Sequence, residues 1–259
     1  MRSLWNWNLF DGVLSVNKPS GKELPIVIIA CQVLQDVLEQ LLPDHMSHDV
    51  TFMDYGLHLV PNKMNVRLQD AIDGIKKPSL IVLGYGLCGN GLRGIKAGVH
   101  TLLIPRTDDC IAMLLGSYQA YTQEFKAVPG TYYLTKGWLE SGSNPLQEYE
   151  AYVPKYGAER AMWIMDQQYR HYERLVLVAR SEADLAHYRP QAQEIARFCA
   201  RWDMRYEEIL GSDDYVNQLI EQATQLGRNG HEPAEWTDND FVFIPPGGEV
   251  RQDMFVRNR

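Results

Sequence analysis

The sequence predicts an α/β protein, Rossmann-like, with mostly parallel sheet and two similar halves around a cleft; a single doubly wound sheet is the alternative. Three observations carry this. Continuous apolar runs such as "LPIVIIAC" (24–31) and "ERLVLVAR" (173–180) suit strands buried on both faces. They alternate with stretches whose apolar residues recur at helical spacing, as right-handed βαβ units require. A chain of 259 residues, 45% hydrophobic and 22% charged, is also long enough for a large core.

Residues 1–23 read as a leader, because Arg2 is followed by Trp, Asn and Asp where a signal peptide needs an unbroken apolar stretch. After the strand at 24–31, "QVLQDVLEQLLP" (32–43) places Val33, Leu34, Val37, Leu38, Leu41 and Leu42 on a helix that Pro43 closes. "HDVTFMDY" (48–55) reads as a second strand and "NKMNVRLQDAID" (62–73) as a helix opening after Pro61. Then follow strand "SLIVLGYG" (79–86), short helix "NGLRGIKA" (90–97) and strand "HTLLIP" (100–105). A helix over 107–125, N-capped by Thr107 or Asp108, completes a first half spanning 24–127.

Residues 128–150 break the rhythm with Gly, Pro and aromatics and read as a loop or lid. The second half, 151–250, holds a long helix (154–172), a strand (173–180), and a helix (182–202) with Pro190 at a bend. A strand (204–211), a helix begun by Ser212, and a last strand, "DFVFIPPGG" (240–248), complete it. Residues 251–259 read as a solvated tail.

A formal charge of −8 leaves no basic face for a nucleic-acid backbone. No apolar run approaches the roughly 20 residues that span a bilayer. The expected location is cytoplasmic, where thiols stay reduced, so the four cysteines are candidates for metal ligands, catalysts or core residues before disulfides.

Three of them stand just beyond the carboxyl end of an expected strand: Cys31 after "IVIIA", Cys88 after "LIVLGYGL" and Cys110 after "TLLIPRTDD". In parallel sheets those ends open on the ligand crevice, and a following helix N-terminus favours the thiolate. His58, between the second strand and second helix, makes a possible Cys₃His set that suits zinc or another soft-ligand divalent metal. The plain alternative is three small buried residues, since free cysteine is often buried; Cys199, on an amphipathic helix, fits that alternative.

Gly86, Gly89, Asn90 and Gly91 form a strand-to-helix turn that could cradle an anion or cofactor, although the run is neither GxGxxG nor a Walker loop. Arg106 is a candidate to hold a carboxylate or phosphate, and Asp109 a candidate acceptor beside Cys110. Tyr132, Tyr133, Lys136 and Trp138 either line a pocket, with proton donors among them, or form a structural aromatic lid.

The blocks "IIAC", "LH" before a proline, "LGYGLCGNGL", "IPRTDDCIAMLLGS" and "GTYYLTKGW", between about residues 26 and 140, resemble a bacterial and archaeal family, domain of unknown function 1638. The resemblance places Cys31, His58, Cys88 and Cys110 inside motif blocks and leaves Cys199 outside. It implies an association with corrinoid-linked methyl transfer and methylated-amine one-carbon metabolism, without supplying a reaction.

Three functions follow as expectations. The first is a metal-dependent protein or transferase with Cys88, Arg106 and Asp109 at its reacting centre, acting on a small anionic or methylated substrate. The second is a carrier of metal or cofactor serving a corrinoid protein or methyltransferase. The third is a metal-free cysteine-thiolate enzyme built on Cys88.

Overall fold

The computed structural model describes residues 24–46, 48–229 and 239–257; the expected leader lies outside them. Along the chain come β1 (Ile26–Cys31), α1 (Gln35–Leu41), β2 (Val50–Met53), a 3-10 helix at Tyr55–Leu59, and α2 (Pro61–Gly74), which starts on its proline. β3 (Leu80–Gly84), β4 (Thr101–Pro105), α3 (Ile111–Leu115) and α4 (Tyr118–Ala127) follow. Next are β5 (Thr131–Thr135), α5 (Lys136–Ser141), α6 (Pro145–Tyr156) and α7 (Ala158–Tyr169). β6 (Arg174–Ala179), α8 (Glu182–Cys199), β7 (Arg205–Leu210), α9 (Asp214–Asn229) and β8 (Phe241–Ile244) complete the order.

The architecture is mixed α/β and Rossmann-like. One sheet has the order β2-β1-β3-β4-β8, parallel except for β8, and the other is the all-parallel β5-β6-β7. In the first sheet the chain leaves β1 to one side for β2 and returns to the other for β3. That reversal is a topological switch point, where a crevice opens at the carboxyl ends of the strands.

Alternate residues of each strand feed two cores. Ile28, Ala30, Leu80, Val82 and Leu103 face α1, α3 and α9. Ile29, Ile81, Leu83, Leu102 and Ile104 face Met64, Leu68 and Ile72, the buried stripe of α2. The first of these cores continues into Val176 and Val178 of β6, so it joins the two sheets. No helix among the described residues is long and apolar enough to cross a membrane.

Several expected boundaries move. Residues 90–97 are not a helix: 90–94 are turns, because Gly89, Asn90 and Gly94 take positive φ, and Lys96 bridges antiparallel to Glu249. The helix expected over 107–125 is two: Gly116 at φ 91° ends α3, and Ser117 caps α4 by accepting the Ala120 N–H. Gly157 at φ 78° likewise separates α6 from α7, whereas α8 runs on through Pro190. Residues 128–150 are not a loop: they hold β5, α5 and the start of α6. β8, expected in the second half, pairs antiparallel with β4 of the first sheet.

The C-terminal segment is not a solvated tail. Phe255 is buried, Arg257 lies 3.8 Å over the Tyr118 ring, and Arg106 donates to the carbonyls of Met254 (2.8 Å) and Val256 (2.6 Å).

Candidate functional site

Four adjacent parallel strands each deliver a group to the switch point. β1 ends on Cys31, level with Met53 of β2. After β2, Asp54 caps the 3-10 helix through the Gly56 N–H (2.8 Å) and so sets His58 on its last turn. Ala30 pairs with Gly84, and a β-carbon on Gly84 would meet the Ala30 Cβ at 2.6 Å, so these strands run close. One residue further on β3's exit stands Tyr85, then Cys88; β4's exit brings Cys110 to the start of α3.

Two loops are held together to do this. The N–H groups of Leu87 and Cys88 donate to the carbonyls of Thr107 (2.9 Å) and Asp108 (2.8 Å). Gly86 permits the approach, and Cys88, Gly89 and Asn90 turn the chain through three successive positive φ angles of 46°, 62° and 71°. A left-handed cysteine costs about 1–2 kcal/mol and is kept only where its surroundings over-determine it.

Cys31, His58, Tyr85, Cys88 and Cys110 line one cavity of about 20 Å³, closed by Asp54, Leu57 and Trp138. That is room for one water or ion and little more. Burial pushes the Cys31 thiol up to about 11 and raises Cys88 and Cys110 as well; Asp109 and Cys31 add to burial at Cys88, and Cys31 and then Asp109 at Cys110. His58 Nδ1 lies 2.7 Å from the Tyr55 carbonyl. An N–H there fixes the tautomer and leaves Nε2 with the lone pair a ligand needs.

Three sulfurs and one imidazole nitrogen are a donor set that fits zinc. Among the described residues, however, no three His, Cys, Asp or Glu side chains stand in closed metal-ligating geometry. Binding would have to draw the thiolates inward.

A second, larger cleft of about 470 Å³ opens on the other side of His58 and Trp138, which line both spaces. Tyr132 and Tyr133 come from β5, Tyr169 from the end of α7 and Tyr172 from the turn after it, with Asp109 and Glu148 as the carboxylates among its described lining residues and the Arg174 guanidinium behind the wall, donating to Thr131 Oγ1 (3.0 Å). Tyr132 meets Tyr169 and Tyr172 edge-on at 5.6 and 5.5 Å, and the Tyr169 hydroxyl donates to Glu148 (2.7 Å). Asp109 Oδ1 accepts the Ile111 N–H (2.9 Å) and Oδ2 the Tyr121 hydroxyl (3.3 Å). Burial pushes its carboxyl above the usual range. The N-cap of α3 is thus Cys110, not Thr107 or Asp108, and Asp109 just before it takes the first N–H of the helix.

The other expected site residues lie elsewhere. Arg106 donates to the carbonyls of the C-terminal segment and is not among the described lining residues of either space. Gly86 precedes, and Gly89, Asn90 and Gly91 form, a run of turns rather than a helix N-terminus, and the Gly91 N–H donates to the Cys88 carbonyl (3.1 Å). Lys136 pairs with Asp36 across the halves, away from the tyrosines. Cys199 is buried in the core of the second half. Tyr85, Tyr169 and Tyr172 do not stand out in the sequence, since an aromatic at a strand end or near a helix end reads as core.

A family model described as "Protein of unknown function (DUF1638)" matches residues 52–220. The chain belongs to that family. The match takes in His58, Tyr85, Cys88, Cys110 and the whole tyrosine cleft, while Cys31 lies outside it. No curated protein and no solved structure matches the chain.

Proposed function

We propose that this protein holds one soft-ligand divalent ion, of the zinc type, through Cys31, Cys88, Cys110 and His58, and serves the transfer of a methyl or other small group. The observation that carries the reading is the convergence of three thiols and an oriented imidazole at the switch point of the sheet. Such an ion, when bound, supplies a Lewis-acid centre that keeps a nucleophile deprotonated near neutral pH.

The chain's own groups do the rest. His58 is oriented by the Tyr55 carbonyl, and Trp138 screens the thiols from the cleft. The tyrosines, with Asp109 and Glu148, favour a small methylated or cationic substrate, because ring faces and carboxylates both attract positive charge. With Arg106 engaged elsewhere, an anionic substrate has less support. A corrinoid protein or methyltransferase is the partner that the family resemblance implies, and a cytoplasmic location would keep the three thiols reduced. Burial of the thiols weighs against a metal-free thiolate enzyme, which needs a lowered pKa.

Elemental mass spectrometry on protein purified anaerobically without chelator tests this. About one zinc or similar ion per chain is expected, kept in Cys199→Ser and lost in Cys88→Ser. Folded, metal-free protein with all four thiols titratable would overturn it.

A further inference from the structure

A third space, of about 360 Å³, lies where α1 and α3 of the first half meet the carboxyl ends of β5 and β6. That is room for a small molecule, in the kind of crevice where parallel α/β sheets bind them. Val33 belongs both to its wall and to that of the thiol cavity, but its described lining includes no cysteine and none of the tyrosines of the cleft.

Val33, Val37, Leu114, Val178 and Ala179 make part of the wall apolar. The rest of it carries three carboxylates, Asp36, Asp184 and Asp213, against two cations. Both cations are taken. Arg180 gives Nε and Nη2 to the two oxygens of Asp213, at 2.6 Å each, and Nη1 to Gln40 Oε1 at 3.2 Å. Lys136 pairs with Asp36. The Asp184 carboxylate has no hydrogen-bond or ion-pair partner among the described residues. Lys136 and Arg180 stand near enough to feel its charge, yet each is bonded to another carboxylate. Glu140, which accepts the Tyr188 hydroxyl (2.5 Å), adds a negative charge behind the wall.

The unmatched charge of this space is therefore negative. The start of α8 does not reverse it, because Ser181 caps the helix through the Asp184 N–H (3.0 Å) and its first turn carries Glu182 and Asp184. An anion would be repelled by Asp184. A cation finds that carboxylate open, with the Tyr188 ring on the same wall.

We propose that this space is a second ligand site, distinct from the thiol cavity and the tyrosine cleft, for a small primary amine with an apolar body. The ammonium group pairs with Asp184, and the hydrocarbon part covers Val37, Leu114 and Val178. The site requires no ion at the thiols.

Calorimetry on the full chain at low salt tests this, with benzylamine, benzyl alcohol and benzoate as probes of similar shape and different charge. Benzylamine should bind with a Kd of about 1 mM, benzyl alcohol about 5-fold more weakly, and benzoate not at all. Asp184→Asn should weaken benzylamine about 3- to 10-fold and leave benzyl alcohol unchanged. Lys136→Met, which frees Asp36 from its partner, should move benzylamine the other way, about 2- to 5-fold tighter. Amine binding that Asp184→Asn leaves unchanged lies elsewhere, the tyrosine cleft included, and would overturn the proposal. So would benzoate binding as well as benzylamine does, or a wild type that binds no benzylamine. If Asp184→Asn does not fold, Lys136→Met decides, and amine binding there that is equal or weaker overturns it.

Discussion

A β-carbon on Gly86 would stand 2.7 Å from both the nitrogen and the α-carbon of Asp109. Backbone cannot yield as a side-chain tip can, so this glycine sets how closely the Cys88 loop approaches the Cys110 loop. Gly86→Ala is therefore expected to cost about 1–3 kcal/mol or more and to lower metal content together with stability. Gly74→Ala, at the end of α2 with nothing within 4 Å, should be neutral or slightly stabilising. Urea unfolding of both variants, with metal analysis, checks this; equal midpoints would remove the close-approach argument. At this scale the sequence was readable in part. The cysteines and His58 could be placed because each follows a strand, and the topology did the rest. The same glycine run also invited an anion cradle, and that reading lacked its helix. What periodicity cannot convey is contact between loops twenty residues apart, which is what Gly86 provides and what leaves Tyr85 facing the thiols.

Helix and strand cores were legible where burial is complete. All five residues of β3 and all six of β6 are buried, and both stood out as apolar runs. β5 was missed because Thr131, Tyr132 and Tyr133 are only half-buried, facing the cleft and carrying hydroxyls that blur the strand pattern. β7 is an edge strand with exposed ends, and its link to α8 is electrostatic. Arg189 grips Glu208 through two bonds of 2.7 Å, and Tyr206 donates to the same carboxylate at 2.9 Å. The Arg189 bond holds the Glu208 carboxyl below its usual range. A depressed carboxyl stabilises the fold above its unfolded pKa, and that contribution is lost as pH falls through the folded value. Glu208→Gln should thus be less stable than wild type at pH 7, with the gap narrowing steadily toward pH 4 and below. Thermal melts over that range test it, and a gap constant with pH would assign the loss to packing instead.

Two halves were foreseeable from the alternation of strands and helices, but their independence was not something a linear pattern could decide. β8 crosses back to pair with β4, and α9, which precedes it, packs Tyr215, Val216 and Leu219 into the same core as Ile28 and Leu103. Val176 and Val178 of the second sheet belong to that core too, through contact with α3. The cleft repeats the pattern: His58 and Asp109 come from the first half, Trp138 and the tyrosines from the second. A site assembled in this way keeps its geometry only while both sheets are folded. The molecule should therefore unfold in a single transition, with far-UV dichroism and tryptophan fluorescence giving coincident curves. Val176→Ala, which empties a fully buried position where the sheets meet, should cost about 2 kcal/mol. The decisive readout is where that loss is felt. Hydrogen exchange followed by mass spectrometry should show β1 and β3 losing protection in step with β5, β6 and β7, although the substitution lies in the second sheet. Loss confined to β5–β7 would mean two separately folding domains, and a cleft whose two walls could part without either half unfolding.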